Sequence, residues 1–275
     1  MIMKRFSFLT LATLLFACTL ADAQTVRTFA HRGGRLERDE NTLKAFTEAW
    51  NGGYHGFETD IRMSKDGVLY VCHDNTLDRT TTGTGILEEK LSSELDTLHT
   101  KKGNPFFRFD DLVRFLDGKD SLYVEFEMKT TPANAYPQER LEVYLEKLYQ
   151  GVKSIHTKGS TLLFTSFDLR GLLWLQEHHP DAELMPIFNK PVNDDNIAVC
   201  QALGVKRIAC TLDGTSRAAV AKAHKAGLLV SLWPCQKPED FMLGVYLGND
   251  LMCNDIPFSL RDWLKANAPW LNVIY

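Results

Sequence analysis

The chain has 275 residues, 44% of them hydrophobic and 24% charged, with 31 basic against 35 acidic side chains and a formal charge of −4. This balance fits a globular protein of one large α/β domain or two smaller ones. No basic stripe is present, which argues against a nucleic-acid partner, and there is neither a short-period repeat nor a low-complexity segment.

The first element is a targeting signal. Lys4 and Arg5 precede an apolar run from Phe6 to about Leu20 that is short for a membrane span, and Ala-Asp-Ala stands before Gln24. The expectation is an export signal over residues 1–23 and a single domain over 24–275, periplasmic or secreted. "LFAC", ending at Cys18, offers the alternative of a lipoprotein anchored through that cysteine. Five cysteines follow (Cys72, Cys200, Cys210, Cys235 and Cys253). Their odd number and scattered spacing do not make a disulfide framework, and no CxxC supports a thiolate zinc site.

Apolar runs predict strands at Thr28–His31, Phe57–Ile61, Leu122–Met128, Thr161–Ser166, Leu184–Phe188, Arg207–Thr211, Leu228–Trp233 and Leu251–Asn254. Between most of them lie helical patterns, among them "LKAFTEAW", "QERLEVYLEKLYQGVKSI" and "SRAAVAKAHKAG". Strand–helix alternation implies a parallel sheet, and eight such strands in a chain of this length predict a (β/α)8 TIM barrel. A doubly wound sheet is the alternative, but no GxGxxG follows the first strand. The run Val68–Asp74 breaks the alternation, because only "RMSKDG" separates it from Ile61. A parallel crossover needs a dozen or more residues, so this pair is an antiparallel β-hairpin inserted after strand two, turning at Asp66-Gly67. Such a turn returns His73 to the level of Glu58 to Asp60.

The C-terminal ends of barrel strands face the catalytic mouth. Strand one ends in His31-Arg32. Strand two carries Glu58 and Asp60 on one face, strand three carries Glu125, Glu127 and Lys129 at period two, and the last strands end in Trp233 and Asp255. Taken singly, each has a bland explanation as a locally satisfied loop histidine or a solvated strand face. Taken together they converge, because "FETDI" and "YVEFEM" set carboxylates into runs apolar enough to be buried. A buried carboxylate needs a cation, hydrogen bonds or a proton. Glu58, Asp60 and Glu127 offer oxygen ligands for one hard divalent cation, Ca²⁺ or Mg²⁺. Two histidines, a cation, Arg32 and Lys129 make a toolkit for phosphodiester chemistry.

"HRGG…DENT…GFETDIRMSKDGVLYVCHDNTLDRTTTGTG…EFEMK" closely resembles the glycerophosphodiester phosphodiesterase family, and "FTSFD", "LWP" and "NDIP" extend the resemblance more weakly along the mature chain. The resemblance implies a TIM barrel, His31 and His73 as the general acid/base pair, and Glu58, Asp60 and Glu127 as metal ligands. It further implies Arg32 and Lys129 as phosphate contacts, with Glu40 in support. Trp233 is expected to contact the substrate. The chain departs from the family at Asp39, where proline is usual, at Asn254, where threonine is usual, and in "LWPC". The expected substrate is a small glycerophosphodiester, cut to glycerol 3-phosphate and an alcohol with water or the glycerol 2-hydroxyl as nucleophile. No obligate protein partner is evident. A lipid-acting phospholipase of C or D type and a non-catalytic phosphodiester-binding protein are the alternatives.

Overall fold

The computed structural model describes residues 25–275, so the expected export signal, its cleavage before Gln24 and the alternative anchor at Cys18 lie outside the described residues. The chain order is β1 Thr25–His31, α1 Leu43–Asn51, β2 Gly56–Met63, β3 Leu69–Val71, α2 Ser92–Leu95, α3 Phe109–Leu116, β4 Tyr123–Met128 and α4 Gln138–Lys153. There follow β5 Thr161–Ser166, α5 Leu169–His178, β6 Glu183–Pro186, α6 Asp194–Ala202, β7 Arg207–Thr211, α7 Arg217–Lys225 and β8 Leu229–Cys235. The chain closes with α8 Pro238–Leu247, β9 Leu251–Asn254, α9 Pro257–Asn267 and β10 Asn272–Ile274.

Eight parallel strands run in the order β6, β5, β4, β2, β1, β9, β8, β7. A parallel bridge between Ile187 and Ala209 joins the two ends of this path. The result is the (β/α)8 barrel expected from the alternation. Its interior is packed with Phe29, Tyr123, Leu163, Met185, Ala209, Leu251 and Cys253, while two larger apolar layers seat the strands against the outer helices. All five described cysteines are free and buried, as small hydrophobes of the core are. Four elements have no counterpart in the sequence pattern: α2, α3, α9, and β10, which pairs with the start of β1.

β3 pairs antiparallel with β2, with Ile61 opposite Val71 and Met63 opposite Leu69. The hairpin is therefore as expected, but its second strand is shorter than Val68–Asp74. Cys72 still donates to the Asp60 carbonyl at 2.9 Å. At His73 the ladder stops, because the Arg62 guanidinium takes the His73 carbonyl with Nε at 3.0 Å and a terminal nitrogen at 2.8 Å. The sequence pattern could not show that a buried arginine would cap the strand.

Gly56 opens β2 where the strand crosses Phe29, and a Cβ there would stand 2.7 Å from the Phe29 Cβ. Overpacking of this kind costs roughly 1–3 kcal/mol. Gly56→Ala is expected to lower the unfolding free energy by that amount, read as a lower urea midpoint with an unchanged m-value. An unshifted midpoint would show that β1 and β2 can separate freely.

Candidate active site

The turn after β1 is built from three consecutive left-handed residues: Arg32 at φ 54°, Gly33 at 79° and Gly34 at 102°. A Cβ on Gly33 would sit 2.7 Å from the Ala45 Cβ on α1, and one on Gly34 would sit 2.7 Å from Pro257 Cγ at the start of α9. Only glycine meets both demands, positive φ and close approach. Arg32 is the non-glycine member, and backbone strain of this kind concentrates at functional sites. Its N–H donates to the Glu58 carbonyl at 3.0 Å, which locks β1 and β2 together at the mouth.

The Glu-Asn-Thr triplet divides its labour. Glu40 accepts from Arg32 at 3.0 Å. Asn41 donates from its amide side chain to Asp60 Oδ2 at 2.7 Å. The Thr42 hydroxyl accepts from the Ala45 N–H at 3.1 Å as the N-cap of α1.

Glu58, Asp60 and Glu127 come together with one oxygen from each within 4.8 Å of the others, all three buried. Glu58 Oε1 and Asp60 Oδ1 are buried without a hydrogen-bond partner among the described residues. Two orphaned oxygens in an all-carboxylate donor set are what a hard divalent cation would satisfy, so the residues fit such an ion. Two protein cations reach the cluster: Lys129 Nζ lies 2.7 Å from Glu127 Oε1 and 3.6 Å from Asp60 Oδ1, and Arg32 Nε lies 3.2 Å from Asp60 Oδ2. Burial, reinforced by the charges of Asp60 and Glu127, pushes the Glu58 carboxyl well above its ordinary range. Burial acts the same way on Asp60, but Arg32, Lys129 and the two histidines outweigh it and hold that carboxyl down.

Each histidine is held by an aspartate at Nδ1. For His31 the partner is Asp255 Oδ1 at 2.5 Å, and its Nε2 lies 3.5 Å from Glu58 Oε2. Asp255 is fully buried and is gripped in turn by Arg35 at 2.8 Å and Gln236 at 2.9 Å. Burial raises its carboxyl, but the His31, Arg35 and Gln236 contacts prevail and bring it down to about 2. For His73 the partner is Asp74 Oδ1 at 2.6 Å. An acceptor on Nδ1 leaves Nε2 as the nitrogen available to a substrate.

One cavity gathers His31, Arg32, Glu58, His73, Glu127 and Trp233, with Lys129 beside it on Glu127. Its walls are unlike. β1 to β4 supply the charges, whereas Phe167, Ile187, Ala209, Trp233 and Cys253 make an apolar side. Trp233 packs edge-on to Phe167 at 5.8 Å, and its indole Nε1 is buried without an acceptor among the described residues. Glu125 lies deeper. It accepts from the Tyr123 hydroxyl at 2.7 Å, and burial pushes its carboxyl up to about 8. All the expected site residues thus meet at one mouth. Sequence reasoning did not assign roles to Asp255 and Asp74, although Asp74 stands beside His73 and Asp255 was visible as a strand end.

Residues 31–258 match the model of the Glycerophosphoryl diester phosphodiesterase family. The chain is 26% identical over 245 residues to an uncharacterised Bacillus subtilis protein, YqiK, covering 86% of this chain and 98% of that one. It is 31% identical over 157 residues to a glycerophosphodiester phosphodiesterase of Caldanaerobacter subterraneus, covering 54% of this chain and 62% of that enzyme. A phosphodiesterase of Oleispira antarctica, solved with its product sn-glycerol-3-phosphate, superposes with a TM-score of 0.77 at 18% identity, over 87% of this chain and 96% of that one. At that identity the likeness speaks for the fold.

Proposed function

The chain belongs to the glycerophosphoryl diester phosphodiesterase family, a family of phosphoric diester hydrolases, and on that premise we propose that it cleaves glycerophosphodiesters to glycerol 3-phosphate and an alcohol. The observation that carries this reading is the pair of aspartate-held imidazoles flanking three clustered carboxylates in one cavity.

Glu58, Asp60 and Glu127 would hold a divalent cation, Ca²⁺ or Mg²⁺, which when bound supplies positive charge to the phosphoryl oxygens. Arg32 and Lys129 add charge from the protein. His31, the deeper histidine with a side chain 13% exposed, takes the proton from the nucleophile. His73, 32% exposed at the open side, gives a proton to the leaving alcohol, whose headgroup varies and needs an exit to solvent. Asp255 and Asp74 keep the two imidazoles in the Nδ1–H tautomer, with Nε2 turned to the substrate. The apolar wall receives the carbon skeleton of the substrate.

Turnover of glycerophosphocholine, glycerophosphoethanolamine and a lysolipid by the purified protein, with and without EDTA, tests this reading. Release of glycerol 3-phosphate from the first two is expected. Turnover of the lysolipid alone would move the enzyme to the lipid-acting alternative.

The unpaired Trp233 N–H supplies a finer expectation. A buried donor on a residue that lines a cavity gains most when a substrate oxygen accepts from it, and one neutral hydrogen bond is worth about 0.5–1.5 kcal/mol. Trp233→Phe is therefore expected to raise KM for glycerophosphocholine about 2- to 10-fold with kcat nearly kept. An unchanged KM would mean that the indole only packs against Phe167.

A further inference from the structure

Arg79 lies in the loop after β3, outside the cavity lining, with its side chain 49% exposed. Exposed ion pairs ordinarily contribute little to stability. This one is built to an unusual degree. Arg79 Nε and a terminal nitrogen donate to the two oxygens of Asp74 at 2.6 and 3.1 Å. Its terminal nitrogens also donate to the two oxygens of Glu40 at 2.8 and 2.7 Å. The guanidinium fork is thus bidentate on both sides, a geometry that lysine cannot reproduce.

What the two carboxylates do next gives the clamp its meaning. Asp74 holds Nδ1 of His73, and Glu40 holds the Arg32 guanidinium. An unbroken line of charge-assisted hydrogen bonds therefore runs from His73 through Asp74, Arg79 and Glu40 to Arg32. Its ends belong to two separate loops, the one after β1 and the one after the hairpin. A second clip joins the loop after β1 to the segment between α2 and α3: Asp39, the departure from the family's usual proline, accepts from the Thr100 hydroxyl at 2.5 Å and from the Asn104 amide at 2.6 Å.

We propose that Arg79 is a positioning residue that ties His73 to Arg32, so that the proton-transferring group and the phosphate contact are held as one unit. The inference rests on the roles given to those two residues above. Misplacing a reacting group by about 1 Å can cost on the order of 10²-fold in rate, and the Arg79 clamp sets the spacing between the loops that carry both groups.

The test is a kinetic cycle on the full-length protein: wild type, Arg79→Gln, His73→Ala and the double variant. With glycerophosphocholine, Arg79→Gln is expected to lower kcat about 10- to 100-fold with KM changed less than about threefold. Arg79→Lys should recover little of the loss. In the His73→Ala background the same change should lower kcat much less, because only the arm through Glu40 to Arg32 is left for it to act on. A full, multiplicative loss in that background, or wild-type kcat in Arg79→Gln, overturns the proposal. Glu40→Gln cuts the clamp from the other side and serves if Arg79→Gln does not fold. It should raise KM as well as lower kcat, since Glu40 also holds Arg32. A substrate-free measurement separates this proposal from the assigned reaction. ¹⁵N NMR of the His73 imidazole should show one tautomer in the wild type and a mixture in Arg79→Gln. That change, in a protein inert toward every diester, would leave the clamp standing and remove the activity. An unaltered tautomer together with unaltered kcat would remove the clamp.

Discussion

Replacing either histidine with alanine is expected to lower kcat by about 10²–10⁴, the usual range for a lost general acid or base, and to leave metal affinity nearly unchanged. Both halves of the expectation come from position. His31 and His73 line the same cavity as Glu58 and Glu127, yet the oxygens that lie within 4.8 Å of one another come from carboxylates alone. Neither imidazole is needed to complete the donor set. The two variants should then part company on a diester with a good leaving group, such as a nitrophenyl ester. A leaving group that departs as a stable anion needs no proton, so the variant lacking the acid recovers and the variant lacking the base does not. His73 is the more exposed of the two, and a departing headgroup must reach solvent, so His73→Ala is the one expected to recover. Equal rescue of both would remove the division of labour. Loss of the metal from either variant would make that histidine a ligand and require the donor set to be redrawn.

The barrel was readable because its strands are buried on both faces and so appear as unbroken apolar runs. β5, β7 and β9 coincide with the expected segments to the residue. Carboxylates inside such runs were equally readable, since Glu58, Asp60 and Glu127 interrupt hydrophobic sequence where a cation, hydrogen bonds or a proton must compensate them. The hairpin was legible from chain length alone, because six residues cannot make a parallel crossover. What escaped notice has a common physical cause. Asp74, Arg79 and Asp255 act through hydrogen bonds between loops, and such partnerships leave no periodicity in the sequence. His31 and Asp255 are 224 positions apart. β10 is three residues long, too short for any alternation to register. In the sequence Asp39 stands out only as a departure from the family's usual proline. Only the folded loops show it gripping Thr100 and Asn104.

Removal of divalent metal is expected to abolish hydrolysis, and Ca²⁺ or Mg²⁺ to restore it. The carboxylate cluster calls for more positive charge than the protein itself supplies. Three carboxylates converge and two of their oxygens, Glu58 Oε1 and Asp60 Oδ1, have no hydrogen-bond partner among the described residues. Lys129 reaches Glu127 closely but Asp60 only at 3.6 Å, Arg32 reaches Asp60 at 3.2 Å, and two single charges do not balance three acids. A divalent ion both neutralises the cluster and occupies the orphaned lone pairs. Glu58→Gln, Asp60→Asn and Glu127→Gln should each weaken binding of the ion by at least about 10–100-fold, the range that follows loss of even an outer partner of a metal ligand. Calorimetric titration of the metal would measure it directly. Thermal unfolding provides a readout that does not depend on turnover. A ligand present at about 100 times its Kd stabilises the folded state by roughly 2.7 kcal/mol, so the wild-type Tm should rise on adding metal. Glu58→Gln should behave in the opposite sense in two respects. Its metal-free form gains stability, because an amide is free of the cost of burying a carboxyl whose pKa the site raises, and its metal-induced rise in Tm shrinks. Asp60→Asn separates from it, because Asp60 also faces Arg32 at 3.2 Å and accepts from Asn41 at 2.7 Å. Removing that charge disturbs the β1 turn, so its metal-free Tm should fall. Full activity of demonstrably metal-free protein in excess EDTA, or amide variants that bind metal as tightly as the wild type, would take the ion out of the mechanism and leave the three carboxylates without a reason to converge.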